Sequence, residues 1–545
     1  MANRYQAEVI VAGAGLSGMV AALELLDQGK RVLLVDRDTE ENIGGLAVWA
    51  FGGMFFVDSA HQRKAGIRDS TELALKDWFS FAAYEPGEVW GPRWAEQFVH
   101  FTTPHVYQWL RSLKINFFPV IHWVERGLFQ PGNSVPRFHL LWGTGYELIR
   151  VLKERLYQHP NRAKLQLCFR HRVTEIQVSE GKVSGLQGWR EDLDQPFEAT
   201  ADTVIIASGG IGGNIDKIKA NWEPAWGTPP QDILNGAHPY GSGDLHDASA
   251  KINGHVVHLE KQWNYAAGVR HPQPRYDNHG LSLVPCKSAL WLNYRGQRMG
   301  PVPLVTGYDT RYLVERICQE EKKYSWQVLN QKIAYKEFAI SGSEHNPAVR
   351  DKKLLQFIGN VLFGNKKLVD DMLDTCPDFV VAGSLEELTD RMNALTGTND
   401  VSLDFLRESI QQYDAQIERG PAFHNDDQLR RIAHARQYRG DKARTSKFQK
   451  INDKNAYPLI AIHNRILSRK SLGGIQTDLQ CRVLQKPDAQ GNQSAIEGLF
   501  AVGEAAGFGG GGIHGKRSLE GTFLAGCVLT GRIAAKTIGG EALSL

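Results

Sequence analysis

The sequence predicts an α/β fold, a Rossmann-like parallel sheet with a β-meander, interrupted by an inserted α+β domain. Three observations carry this reading. Near the start, the apolar run Val9-Ile10-Val11-Ala12 leads into Gly13-Ala14-Gly15-Leu16-Ser17-Gly18. A second apolar strand, Thr203-Val204-Ile205-Ile206-Ala207, leads into Ser208-Gly209-Gly210. A third, Leu499-Phe500-Ala501-Val502, leads into Gly503-Glu504 and a run of glycines, and the stretch before it is charged and helix-rich. The expected boundaries are 1–264 and 457–545 for the two parts of the sheet domain and 265–456 for the insertion.

The first unit has a physical job for each piece. After the glycine turn, Met19, Ala22, Leu23 and Leu26 recur at helical spacing and Gly29 closes the helix; Val32-Leu33-Leu34-Val35 then ends on Asp36. Gly13 makes the tight turn, Gly15 lets backbone approach a pyrophosphate, and Gly18 lets helix and strand pack closely. The free N–H groups and positive dipole end of the helix face phosphate charge. Asp36, 21 residues beyond Gly15, is where a carboxylate accepts from ribose hydroxyls. Together these residues point to a dinucleotide cofactor.

Further along, Gly44-Gly45-Leu46 and Gly52-Gly53-Met54 either let backbone approach a flat ring or form an ordinary turn-rich loop. Ser70 to Tyr84 reads as a helix capped by Ser70. Residues 94 to 113 read as a helix interrupted at Pro104, and Gly145 precedes a third with Leu148, Leu152 and Leu156. Residues 165–169, 173–178 and 183–189 alternate as strands and read as the meander, with Glu180-Gly181 at a turn. The 203–207 strand reads as the return of the parallel sheet.

Within the insertion, helices are expected at 312–323, 385–395 and 403–417. Arg430 to Lys450 holds eight Lys/Arg against Asp441 alone, read as a solvated surface in preference to an acidic-substrate contact. The last stretch runs from Gly507 through polyglycine to His514-Gly515-Lys516-Arg517-Ser518-Leu519, followed by a helix to about Lys536. His514 lacks neighbours in sequence that could wall it in, which favours a substrate-site donor. Arg517 and Glu520 both fall at this helix's N-terminus, where a cation is disfavoured and an acid is stabilising. Function is therefore expected of Arg517 and not of Glu520. Arg469 and Lys470 either bind an acidic group or sit in a solvated turn.

The net charge of +3 gives no global argument for a nucleic-acid partner. Six scattered cysteines without a CxxC disfavour a disulfide framework, zinc or an iron–sulfur cluster, and no metal site is expected. The N-terminus reads straight into the first strand, so no signal peptide is expected. No apolar run approaches the roughly 20 residues a bilayer needs. A cytoplasmic setting is expected.

At these residues the sequence resembles the flavoprotein family of soluble fumarate reductases, succinate dehydrogenase flavoprotein subunits and 3-ketosteroid dehydrogenases. The resemblance implies FAD, a Rossmann-like FAD domain interrupted by a capping substrate domain, and an active site between the two. It implies that Gly13, Ala14, Gly15, Ser17, Gly18, Asp36 and Arg37 hold the ADP half of FAD. Gly44, Gly45, Leu46, Gly52 and Gly53 would line the isoalloxazine, and Val173 with Ala207-Ser208-Gly209 the adenine side. Asp244, in Gly241-Ser242-Gly243-Asp244, resembles the family's Thr-Gly-Asp-Gly; Gly503-Glu504 would bind the ribityl chain and Ser518-Leu519 the pyrimidine edge.

Departures refine this. No histidine stands in Asn42-Ile43-Gly44-Gly45-Leu46, where membrane-complex relatives attach FAD covalently, so noncovalent FAD is expected. The family's His-Gly-x-Asn-Arg-Leu-Gly-Gly appears as His514-Gly515-Lys516-Arg517-Ser518-Leu519-Glu520-Gly521, with the arginine displaced onto Arg517. Its His-x-Thr-Met-Gly-Gly appears as Arg469-Lys470-Ser471-Leu472-Gly473-Gly474. Arg311 is the nearest counterpart of the proton-donating arginine of fumarate reductases, and the tyrosine of the ketosteroid dehydrogenases' Tyr-Pro-Gly-Ala-Gly is missing.

The expected function is FAD-dependent oxidation or reduction of a CH–CH bond next to a carbonyl, on a small-molecule substrate, with an unidentified electron donor or acceptor. Arg517 and His514 would stabilise the developing charge, with Arg311 or Tyr294 as alternative proton carriers. A flavin oxidase of an amine or hydroxy acid, and a non-catalytic electron-transfer subunit, remain as alternatives.

Overall fold

A computed structural model of the chain describes residues 3–544 and contains two compact units. The first comprises residues up to Glu223, Ala237–Trp263 and the chain from Arg469 onward; the second comprises Pro224–Gly236 and Asn264–Ser468. The insertion therefore closes at 468, where the sequence reading places its end at 456. The cause is the long Leu459–Ser471 strand, which pairs antiparallel with Ser325–Asn330 and with Phe379–Ala382 inside the second unit.

The first unit is built on a ten-stranded sheet. Five neighbouring strands run parallel: Ala495–Ala501, Thr203–Ile206, Val9–Ala12, Val32–Val35 and Leu165–Cys168. Every residue of Val9–Ala12 and Val32–Val35 is buried, as a parallel sheet covered on both faces requires. The Leu16–Asp27 helix packs along the Thr522–Ile538 helix, so the first and last helices of the unit close on each other. At their far ends Gln28 Nε2 donates to Ala535 O at 3.0 Å, and Arg532 Nε pairs with Glu24 Oε1 at 2.6 Å.

Three local expectations are corrected. Leu165–Cys168 is not part of the meander but extends the parallel sheet beside Val32–Val35. The meander is His171–Ser179, Lys182–Arg190 and Gln195–Thr200, flanked by Asn3–Gln6. Period-two alternation reads alike in both settings, and the polar, proline-bearing Gln195–Thr200 gives little strand signal. Pro104 does not break its helix: Thr102–Tyr107 widens to a π-helical turn between Trp90–Phe101 and Gln108–Ser112. A wider turn accommodates a residue with no N–H to give. The third helix starts at Thr144, so Gly145 lies inside its first turn.

The second unit carries an eight-stranded sheet. Of its helices, Leu385–Thr396 and Leu403–Glu418 fall where expected, while Thr310–Cys318 ends five residues before the expected Lys323; Asp309, Ser384 and Ser402 cap their first turns. Arg430, Arg439, Lys442 and Lys447 are exposed, while Arg431, Arg436 and Lys450 are half-buried, so the solvated-surface reading holds for only part of the run. All six cysteines are free. No helix among the described residues is long and apolar enough to cross a membrane.

One buried ionic network fixes the outer wall of the first unit. Arg137, 1% exposed, donates to Asp69 through Nε and Nη2 at 2.9 and 2.8 Å and to Asp77 Oδ2 through Nη1 at 2.6 Å. Asp77 belongs to the Thr71–Ala82 helix, and its neighbour Trp78 faces the glycine loop described below. Arg137→Leu would strand two buried carboxylates, an imbalance costing about 3–5 kcal/mol. A urea titration should show the midpoint fall accordingly; an unchanged midpoint would contradict this reading of the network.

Candidate functional site

The carboxyl ends of the parallel strands meet at one edge. There Gly13 N donates to Val35 O (2.7 Å), Ala207 N to Ala12 O (2.8 Å), Val502 N to Ile206 O (2.9 Å) and Asp36 N to Cys168 O (2.8 Å). From Val9–Ala12 the chain goes outward through Val32–Val35 to Leu165–Cys168, while Thr203–Ile206 and Ala495–Ala501 lie on the other side. The strand order thus reverses between Val9–Ala12 and Thr203–Ile206, and such a switch point leaves a crevice at the strand ends.

The glycine turn fits that crevice. Gly13 adopts φ +117° and a Cβ on it would lie 2.3 Å from Ala207 O; one on Gly18 would lie 1.9 Å from Gly13 O. A Cβ on Gly15 would meet nothing within 4 Å. Gly15 is also the N-cap of Leu16–Asp27 and no side chain caps that helix, so its first N–H groups remain for an anion. Asp36 Oδ2 accepts from Ala14 N at 2.5 Å and Oδ1 from Asp38 N at 2.7 Å. Each oxygen keeps a further lone pair. Burial raises the Asp36 pKa.

Other expected contacts divide. Gly44 N donates to Ala14 O at 2.9 Å, and a Cβ on Gly45 would approach only Gly15 Cα, at 3.4 Å. Gly44, Gly45 and Leu46 therefore run beside the glycine turn. Gly52 holds a left-handed turn at φ +96°. On Gly53 a Cβ would fall 1.8 Å from the Phe138 ring, so the Cβ side of this residue packs on Phe138. Gly209 is open on its Cβ side, and Ser208 lies between it and Ala207.

Glu504 is held by Ser471 N at 2.8 Å, and burial raises its pKa. A Cβ on Gly503 would lie 2.5 Å from Ser17 Oγ, so these two expected residues are in contact range. Arg37 pairs with Glu191 at 2.8 Å and stacks over Tyr240. Val173 is buried in the meander. Asp244 accepts from Arg172 Nε at 2.7 Å and opens the Asp244–Lys251 helix.

The 507–521 loop differs most from its expected form. His514 is fully buried, stacked on Trp78 (5.8 Å, 10°) and ringed by Phe508 at 5.4 Å and Phe523 at 5.0 Å. Its walls are Trp78 from a distant helix and Phe508 and Phe523 from either side of the loop, which corrects the picture of a histidine in an unwalled loop. The Thr522 hydroxyl donates to Leu519 O at 2.9 Å, so His514 Nε2–H donates to Thr522 Oγ1 at 2.8 Å. Nδ1 keeps a buried lone pair with no partner among the described residues. Burial, helped by the Lys470 charge, pulls the His514 pKa down to about 3. The ring is neutral, and the expected cationic donor is corrected.

Ser518 Oγ lies 3.0 Å from Thr522 Oγ1, and Leu519 is buried. The helix begins at Thr522 with Gly521 as N-cap. Arg517 and Glu520 therefore precede it, and the dipole argument applied to both does not hold. Glu520 accepts from Trp263 Nε1 at 2.8 Å. Arg517 is half-buried, with its N–H on Ala82 O at 3.2 Å.

Lys470 is the residue whose weight the sequence understated. It stands one residue from the end of the Leu459–Ser471 strand, with Nζ 3.9 Å from the Phe523 ring centroid. Burial pushes its pKa down to about 8, against the opposing pull of Glu520. A lysine beside an aromatic ring and an acid was not separable in sequence from one in a solvated turn. Its only signal is its place in the Arg469-Lys470-Ser471-Leu472-Gly473-Gly474 segment.

In the second unit, Tyr294 donates to Glu321 Oε2 at 2.8 Å and Arg311 stacks over Trp226 at 4.6 Å. That unit also brings ligand atoms of His271, Glu344 and His345 within 4.8 Å of one another. His271 Nδ1 accepts from Gln273 N at 2.9 Å, which leaves the ring proton on Nε2, 3.6 Å from Glu344. Arg275 holds Glu344 at 2.8 Å. This group reads as a polar cluster around the Arg275–Glu344 ion pair.

The open backbone at Gly15 and Gly209, the uncapped helix end and the spare lone pairs of Asp36 are a donor set that fits the adenine dinucleotide half of FAD. The chain matches the FAD binding domain family over residues 8–524. It is 40% identical to a KsdD-like steroid dehydrogenase of Mycobacterium tuberculosis, over 98% of this chain and 96% of that protein. It is equally 40% identical to a KsdD-like steroid dehydrogenase of Mycolicibacterium smegmatis, over 95% and 96%. The fold is similar to that of a 3-ketosteroid-delta4-(5alpha)-dehydrogenase from Rhodococcus jostii RHA1, with a TM-score of 0.63 and 19% identity over 98% of this chain and 97% of that one. The chain belongs to the FAD-binding flavoprotein family and is an FAD-dependent oxidoreductase acting on CH–CH groups.

Proposed function

We propose that the chain dehydrogenates a ring CH–CH bond next to the carbonyl of a 3-ketosteroid-like substrate, with FAD held noncovalently. The observation that carries this is the 40% identity, over nearly the whole of both chains, to proteins named KsdD-like steroid dehydrogenases. In this reading Gly13, Ala14, Gly15, Ser17, Gly18 and Asp36 bind the ADP half, Gly44, Gly45 and Leu46 run along the ring system, and Gly503 and Glu504 reach the ribityl chain. Bound FAD supplies the two-electron acceptor for the hydrogen that leaves as hydride.

The residues around the glycine loop handle the proton and the charge. Lys470 Nζ takes the proton from the carbon beside the carbonyl, and the electron pair of that C–H bond becomes part of the new double bond. An amine with a pKa near 8 is partly neutral at physiological pH and well matched to this task. Arg517 stabilises the negative charge that develops on the carbonyl oxygen. Neutral His514 is a positioning residue, since its bond to Thr522 ties the loop to the first turn of the last helix. Tyr294 and Arg311 are engaged with Glu321 and Trp226, and we assign them no proton.

Three outcomes test this. Acid precipitation should leave yellow flavin in the supernatant, because no histidine precedes Gly44-Gly45; flavin retained in the pellet would exclude noncovalent binding. Anaerobic addition of a ring-saturated 3-ketosteroid should bleach the bound flavin. Bleaching by acyl acids but by no steroid would move the substrate elsewhere.

Finally, turnover should rise with pH through about 8, as Lys470 loses its proton and becomes able to accept one. Lys470→Arg, which stays protonated, should lose about 100-fold or more in kcat while keeping its flavin spectrum. A flat pH profile together with wild-type turnover in this variant would remove Lys470 from the chemistry.

A further inference from the structure

The Leu354–Phe363 helix of the second unit turns large apolar side chains outward. None of its residues is buried. Leu355 is 86% exposed, Phe363 77%, Leu362 62%, Leu354 56% and Ile358 42%. At about 100° per residue, Leu354, Ile358, Leu362, Leu355, Gly359 and Phe363 fall on one half of the circumference. Gln356 and Asn360 fall on the other half, with Phe357 and Val361. A surface helix of a globular protein presents the reverse, polar side out. Contiguous exposed apolar surface of this kind marks an interaction site.

The ends of the helix identify the partner. Lys352 and Lys353 precede it and Lys366 and Lys367 follow it, all four exposed. With Arg350, five basic residues stand against Asp351, Asp370 and Asp371. Neighbouring backbone bonds hold the segment in place, from Lys353 N to Ala348 O at 2.8 Å and from Asn365 N to Tyr335 O at 3.1 Å. Ten residues of helix span about 15 Å, half of what a bilayer core requires, so the helix can only lie along an interface. Apolar side chains between paired lysines suit the acyl boundary of an anionic bilayer, with the ammonium groups at the headgroups. A second copy of the chain fits less well. Pairing this face with itself about a two-fold axis sets lysine ends against lysine ends.

We propose that the Leu354–Phe363 helix docks this protein in plane on an anionic lipid surface. The test is flotation of the purified full-length flavoprotein with phosphatidylcholine vesicles, with and without phosphatidylglycerol. The protein should float with the phosphatidylglycerol vesicles, less with phosphatidylcholine alone, and less again at high salt. Replacing both Leu355→Glu and Leu362→Glu should lower the floated fraction about tenfold or more, with the flavin spectrum and turnover of a dissolved substrate unchanged. Those two controls show that the variant is folded. Absence of the wild-type protein from both kinds of vesicle fraction would overturn the proposal. So would sedimentation showing a wild-type dimer that the double variant converts to monomer without any lipid binding, since a second copy would then cover the face.

Discussion

The first unit depends on one steric constraint: backbone must pass backbone at the carboxyl edge of the parallel sheet with no side chain between. A Cβ on Gly13 would sit 2.3 Å from Ala207 O, and one on Gly18 would sit 1.9 Å from Gly13 O. These are distances no side chain relaxes away. The contact lets the turn after the first strand lie directly against the turn after the 203–206 strand. The same compression turns Gly15, whose Cβ side is open, toward the crevice, at the head of a helix with no side-chain cap. Where backbone N–H groups are unsatisfied by protein and a neighbouring carboxylate has lone pairs to spare, the ligand is chosen by what it can accept and donate. Phosphate oxygens and ribose hydroxyls are such groups.

That edge was legible because each of its determinants is local. Gly13, Gly15, Gly18 and Asp36 sit within one strand–helix–strand unit, and the spacing alone states their relation. The family resemblance was legible for the same reason. His514 was not, because the residues that decide its state meet only in the fold: Trp78 comes from a distant helix, and Phe508 and Phe523 close in from either side of a glycine-rich loop. The packing partner of Gly53 was hidden for the same reason, since Phe138 fills its Cβ position from 85 residues away. Leu165–Cys168 alternates like a meander strand, and only its register with Val32–Val35 assigns it to the parallel sheet. The helix start at Thr522 removed the dipole argument for Arg517, a boundary error of a few residues that changed a chemical inference.

The helix at 354–363 shows the same dependence on the fold. Its apolar composition is visible in the sequence, but only the folded chain shows that its large apolar side chains are turned outward. An apolar run between lysine pairs is ambiguous until burial is known. With burial known, the same residues argue for lipid instead of core.

The loop after the last strand shows how desolvation distributes charge among neighbours. His514 and Lys470 are both near Phe523, and each cation makes the other less favourable. The histidine, fully buried with one ring nitrogen unpartnered, gives up its charge altogether, with a pKa near 3. The lysine is held closer to its ordinary state by Glu520 and Glu504 but is still pulled to about 8. The arrangement thus moves histidine, whose free side chain titrates near neutrality, far below it, and moves lysine, whose free side chain does not, into that range. A proton carrier working near neutral pH needs a group poised there. Between these two neighbours that group is the lysine, and the histidine's neutrality is part of what leaves its own bond to Thr522 independent of pH across that range.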